Sequence, residues 1–156
     1  MENLKYQDGK LEILDQRLLP NEAKWLPIGS KEAAFEAIQT LAVRGAPAIG
    51  IFAAFSMALF GKGDPAACNA YLDSARPTAV NLSWATARLA KVMENGGDPV
   101  AEALAVQAED IEMCRKISAY GLSLLRDGDG LLTHCNAGEL ATSRYGTGLG
   151  PILLGK

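Results

Sequence analysis

Three short segments of this sequence hold residue types and spacings suited to chemistry. In Val43-Arg-Gly-Ala-Pro-Ala-Ile-Gly50, Gly45 removes side-chain bulk and Pro47 presets the first turn of a helix. The N–H groups near Gly45, Ala46 and Ala48 then lie at a helix start, where backbone donors lack an intrahelical partner and favour an anion such as a phosphate. Arg44 beside them adds a bidentate cation. The same residues equally describe a tight turn between helices with a solvent-facing arginine, and spacing alone does not separate the two. In Ser74-Ala-Arg-Pro-Thr-Ala-Val-Asn-Leu82, Arg76 precedes a proline and is biased to extended backbone. Thr78 and Asn81 can bond the following turn or a ligand, and an N-cap loop with an incidental arginine fits as well. In Leu131-Leu-Thr-His-Cys-Asn-Ala-Gly138, a short apolar strand ends in a polar turn bearing Cys135. A thiol at a strand end near a helix start can be acidified and serve as nucleophile, acid or base, whereas a buried structural cysteine is the ordinary alternative.

Other candidates carry less. Cys68 and Cys114 fall within helical patterns, where inert thiols are expected. Tyr145-Gly-Thr-Gly-Leu-Gly150 resembles a glycine-rich phosphate loop only loosely and does not match GxGxxG.

The elements that must position these segments follow from turn and helix signals. Asp8-Gly9, between Leu4-Lys-Tyr and Leu11-Glu-Ile-Leu, is a hairpin signal. The stretches 15–20 and 24–27 are expected to add extended segments, each limited by its proline. Ser30 caps a helix with Phe35, Ile38, Leu41 and Ala42 on one face, ended by Arg44-Gly45. The next helix, from Pro47 to Phe60, is apolar on all sides and belongs in the middle of a bundle. Asp64-Pro65 opens a short helix to about Asp73, and a further helix runs from Val80 to Glu94. Asp98-Pro99 caps a long helix reaching about Arg126, with Gly121 a weak point. A strand from Leu131 to His134 and a helix start near Glu139 complete the pattern.

Bulk properties narrow the classes. The chain has 156 residues, 49% of them apolar and 21% charged, which supports a packed core and argues against disorder. A net charge of −3 gives no bulk field for nucleic acid or an anionic membrane. An odd number of widely spaced cysteines and a single histidine argue against a disulfide framework and a zinc site, and a reducing cytoplasm is the simplest setting. The longest apolar stretch, about 14 residues, is short of the ~18–20 that cross a bilayer.

Taken together and in order, Arg44-Gly-Ala-Pro-Ala-Ile-Gly50, Ala75-Arg-Pro-Thr-Ala-Val-Asn-Leu82 and Thr133-His-Cys-Asn-Ala-Gly138 resemble the methylthioribose-1-phosphate isomerase family. Leu140-Ala-Thr142 and Tyr145-Gly-Thr147 extend the likeness. The resemblance implies conversion of 5-methylthioribose 1-phosphate to 5-methylthioribulose 1-phosphate in methionine salvage. It implies Cys135 as the catalytic cysteine, Arg44, Gly45 and Ala46 as contacts to the substrate's phosphate, and Arg76 as a second substrate-binding arginine. It implies no metal and no organic cofactor, a sugar phosphate as the small-molecule partner, and a homodimer. The same family is similar to regulatory subunits of a translation-initiation exchange factor and to ribose-1,5-bisphosphate isomerases.

The expected fold is therefore an α+β N-terminal domain over 1–128, a small antiparallel sheet plus a helical bundle. Residues 129–156 are expected to hold the first strand and helix of a Rossmann-like α/β domain. The resemblance also implies a second half about as long again, with a catalytic aspartate that no residue here matches. The isolated strand at 131–134 is expected to be ordered only if another chain or segment pairs with it.

Overall fold

In the computed structural model, residues 2–156 are described. Three strands, β1 (Leu4–Gln7), β2 (Lys10–Leu14) and β3 (Trp25–Ile28), form one antiparallel sheet in the order β1-β2-β3. Asp8 and Gly9 both take positive φ, 51° and 75°, so the two-residue turn matches the twist of its strands and pairs Gln7 with Lys10. Pro27 is tolerated because β3 lies on the sheet edge, paired only with β2. Leu11 and Ile13 alternate inward from β2, and Tyr6 of β1 stacks on Phe55 at a centroid distance of 4.9 Å. The sheet thus covers one side of the helical core.

Five helices follow: α1 (Lys31–Gln39), α2 (Ala46–Phe60), α3 (Pro65–Asp73), α4 (Val80–Glu94) and α5 (Pro99–Ser123). Their starts use short-range capping. The Ser30 hydroxyl accepts from Ala33 N at 3.2 Å, Asp64 from Ala67 N at 2.9 Å, and Asp98 from Val100 N at 2.9 Å. The all-apolar α2 is the centre of the bundle, with every residue from Ala48 to Ala58 buried. Its Gly50 lets α4 approach closely: a Cβ there would lie 2.8 Å from the carbonyl oxygen of Asn81. Phe52 and Phe55 are fully buried, and truncating either to alanine is expected to cost about 3–5 kcal/mol.

The structure departs from expectation in the connections and at the C-terminal end. Residues 15–20 form no strand. Asp15 instead staples a turn, accepting from the Arg17 backbone N–H at 3.1 Å and from its guanidinium at 2.8 and 2.7 Å. Helix α5 ends at Ser123, three residues early, and Gly121 remains helical. Its missing Cβ makes room for Pro151 on a last helix, α6 (Gly150–Leu154), so Gly121 is a packing site and not a weak point. The strand expected at Leu131–His134 does not form. These residues are exposed and irregular, because no described strand lies beside them to complete a ladder. Near Glu139 there is one 3-10 turn, Glu139–Ala141, in place of a longer helix.

Candidate functional site

The Arg44 segment folds as its residues require. Gly45 takes φ 99° immediately before α2, a conformation that favours glycine, and its carbonyl starts the helix by accepting from Ile49 N at 3.0 Å. Arg44 and Ala46 are exposed beside it. No side chain caps α2, so its first-turn N–H groups lack a side-chain partner at the positive end of the helix dipole. Arg76 lies half-buried in the turn that leads to α4. Neither Arg44 nor Arg76 makes an ion pair or a side-chain hydrogen bond among the described residues. The close approach of Gly50 to Asn81 joins the two arginine-bearing segments, because these residues sit near the starts of α2 and α4.

Cys135 is exposed in the loop after α5, whereas Cys68 and Cys114 are buried. Its φ of 65° is left-handed, which for a residue with a side chain costs roughly 1–2 kcal/mol. Its sulfur lies 3.3 Å from Nδ1 of His134. Burial pushes the Cys114 thiol up to about 11, with the nearby Asp110 carboxylate adding to the shift, and burial raises Cys68 as well. Both helical thiols are therefore poor nucleophiles, and Cys135 is the accessible one.

The segment that follows Cys135 folds back onto the bundle, through residues that sequence reasoning did not single out. Asn3 Nδ2 donates to the carbonyls of Leu140 and Thr142 at 3.0 and 2.8 Å, and Gln16 Nε2 donates to Leu140 at 3.0 Å. Asp110 of α5 accepts from Ser143 N at 2.7 Å. Desolvation raises the Asp110 carboxyl above its ordinary value, opposed by this bond. The 3-10 turn also closes on the Arg44 segment, since a Cβ on Gly45 would lie 2.6 Å from Ala141 Cα. Two glycines complete the docking: Gly146 makes room for the Ala137 carbonyl, and Gly150 for Ser118. Asn3 and Gln16 gave no signal beyond being polar; Thr142 and Tyr145-Gly-Thr147 did, as part of the resemblance.

A cavity of about 400 Å³ opens between the N-terminal parts of α2 and α4 and the middle of α5. Pro47 and Gly50 contribute from the Arg44 segment, Val80 and Asn81 from the Arg76 segment, and Asp110 from the anchor of the Cys135 segment. The structure thus joins the Arg44 segment to the Arg76 segment through Gly50 and Asn81, and to the stretch after Cys135 through Gly45 and Ala141. No described side chain of Arg44, Arg76 or Cys135 bonds another of the three. Among the described residues, no cluster of three or more His, Cys, Asp or Glu side chains is arranged to hold a metal ion.

A three-stranded sheet against a helical bundle of this order has known counterparts. The crystal structure of 5-methylthioribose 1-phosphate isomerase from Pyrococcus horikoshii superposes with a TM-score of 0.86 at 36% identity, covering 99% of this chain and 49% of that one. A methylthioribose-1-phosphate isomerase of Bacillus licheniformis is 44% identical over 99% of this chain and 49% of its own length. A 5-deoxyribose 1-phosphate isomerase of Clostridium botulinum is 42% identical over 98% of this chain and 50% of its own. The chain spans about half the length of the curated relatives it matches. The profile of the Initiation factor 2 subunit family matches residues 42–144, and the chain belongs to that family.

Proposed function

We propose that this chain is the N-terminal half of an aldose–ketose isomerase that converts 5-methylthioribose 1-phosphate to 5-methylthioribulose 1-phosphate. The observation that carries the reading is the 44% identity, across nearly all of the chain, to a relative named for that activity. The geometry supports it. Arg44 and the N–H groups at the start of α2 suit a phosphate, with Gly45 and Ala46 as backbone contacts. Arg76 is the second substrate-binding arginine. Cys135 is the catalytic cysteine, exposed and without competition from the buried thiols.

The chemistry explains why an acid–base group is needed. The phosphate sits on the anomeric oxygen, so the sugar ring does not open freely to an aldehyde. A positioned acid–base pair must assist cleavage of the ring C–O bond and move hydrogen from C2 to C1. Exclusion of water protects the intermediate. We assign Cys135 to that proton transfer. The remainder of the enzyme, in this reading, supplies a catalytic aspartate and a Rossmann-like sheet that residues 131–134 join as a strand. The boundary then falls near residues 128 and 129. The reading includes a homodimer in the cytoplasm, acting without metal or organic cofactor and without nucleic acid or membrane. No described helix is long and apolar enough to cross a membrane.

The test is an assay of ketose 1-phosphate formation by the full-length protein and by residues 1–156. We expect turnover by the first and none by the second, and a Cys135→Ser change should lower turnover by orders of magnitude. Near-normal activity of that variant removes Cys135 from the chemistry. The family description favours a second reading, a non-catalytic subunit like those of the initiation factor. Calorimetric titration with the sugar phosphate separates the two: such a subunit has no need to bind it.

A further inference from the structure

Gln16 bonds both to the Arg44 segment and to the turn after Cys135. Its backbone N–H donates to the Ala42 carbonyl at 2.9 Å, two residues before Arg44. Its side-chain Nε2 donates to the Leu140 carbonyl at 3.0 Å, in the 3-10 turn. In sequence these contacts flank Gly45 and Ala141, the pair that meets at close range. Short bonds continue from the turn towards the thiol. Ala141 N donates to the Gly138 carbonyl at 3.1 Å, and Thr147 N to the Ala137 carbonyl at 2.9 Å, two residues from Cys135. On the other side Ala42 and Val43 are buried, which leaves little slack between Gln16 and Arg44.

Packing alone does not account for a glutamine here. The side chain is 2% exposed, and its Oε1 accepts no hydrogen bond among the described residues. A buried acceptor without a donor destabilises a fold. Methionine has the same length and fills such a space without that loss. Nor is the amide needed to satisfy Leu140, whose carbonyl also accepts from Asn3 Nδ2 at 3.0 Å. Asn3 grips the same turn through Thr142 as well, but its own carbonyl accepts from Leu14 N of the sheet. The bond that Gln16 adds ties the turn to the Arg44 segment.

We infer that Gln16 is a positioning residue for the proposed isomerisation: it fixes the segment that carries Cys135 relative to the Arg44 turn, so that thiol and bound phosphate keep one separation. The inference rests on the isomerase reading above and adds a residue that touches neither substrate nor reacting atoms. Reacting groups held about 1 Å out of place lose on the order of 10²-fold in rate. Phosphate binding depends instead on Arg44 and the start of α2, and Gln16 holds that segment through its backbone N–H. Substitution of the side chain leaves that bond in place.

The full-length protein carrying Gln16→Met tests this, with kcat, KM and melting temperature measured together. We expect kcat to fall tenfold or more and KM for 5-methylthioribose 1-phosphate to stay within threefold. The melting temperature should fall less than in Leu72→Ala. Leu72 is fully buried in α3, so that variant is the control for lost packing; it should melt earlier and keep its kcat at temperatures well below melting. Gln16→Asn keeps an amide but is one carbon short of Leu140, and should show the same loss of kcat; it decides the point where the methionine variant does not fold. A kcat within twofold of the unaltered enzyme, a rise in KM alone, or an equal loss of kcat in Leu72→Ala overturns the inference and leaves the isomerase reading standing. Absence of turnover in the unaltered full-length protein overturns the isomerase reading and this inference with it.

Discussion

Asp110 and Ser143, 33 residues apart, are joined by a 2.7 Å hydrogen bond from the Ser143 backbone N–H to the Asp110 carboxylate. This bond ties the segment after Cys135 to the longest helix of the bundle. Replacing Asp110 by alanine leaves that part-buried donor without its partner, at a cost of about 1 kcal/mol. The expected outcome is severalfold faster hydrogen exchange at the Ser143 amide and its neighbours, with the centre of α2 unaffected. Equal protection in the variant would show that Asn3 and Gln16 alone hold the segment.

Gly45 tests the same docking from the other side. Alanine there meets both a positive φ and the Cα of Ala141. Overpacking of this kind costs about 1–3 kcal/mol beyond the backbone strain. Gly45→Ala should therefore lower the melting temperature by several degrees, as read by calorimetry. Gly63→Ala is the control, since it shares the positive φ, 96°, but has nothing within 4 Å of the added carbon. Equal losses for the two variants would remove the close approach to Ala141 as a cause.

The turn at Asp15 makes stability depend on pH. Hydrogen bonds from Arg17 hold the buried Asp15 carboxyl below its ordinary value of 3.8, with burial opposing them. A folded-state value below the unfolded one contributes stability above the ordinary value and loses it as pH falls through the depressed one. Asp15→Asn should thus destabilise the protein at pH 7, and the gap to the unaltered chain should narrow as pH falls below about 4. Urea denaturation at pH 7, 5 and 3 measures it. A gap independent of pH would assign the effect to geometry and not to charge. Asp110 has the opposite sign: its raised value costs stability at neutral pH, and the cost disappears on acidification.

The three thiols should separate cleanly. Cys135 is exposed, while Cys68 and Cys114 are buried with raised values. A disulfide reagent added to the folded chain is expected to titrate one thiol quickly and the other two only in denaturant. The Cys135→Ser variant should lose the fast phase entirely. Two fast thiols in the folded chain would contradict the burial of one helical cysteine.

Much of the architecture was legible from local chemistry. The Asp8-Gly9 turn, the caps Ser30, Asp64 and Asp98, and the buried α2 all follow from interactions within a few residues, and each forms where its residues demand. Arg44, Arg76 and Cys135 stood out for the same reason, as residue types set in distinctive turns. The sequence misled where a backbone needs partners from afar. Leu131–His134 has the composition of a strand, but a ladder is a property of two strands and none lies beside it. Gly121 has the composition of a helix breaker, but its role is set by Pro151, which packs where its Cβ would lie.

Only the tertiary structure decided that the Cys135 segment returns to the bundle, that Gly45 meets Ala141, and that an apolar cavity opens where α2, α4 and α5 converge. Those relationships join residues tens of positions apart. Their donors are largely backbone N–H groups and side-chain amides, which look alike everywhere in a sequence. Capping and turn preferences act over two or three residues and leave a mark on residue type; docking depends on which surfaces the packed core brings together.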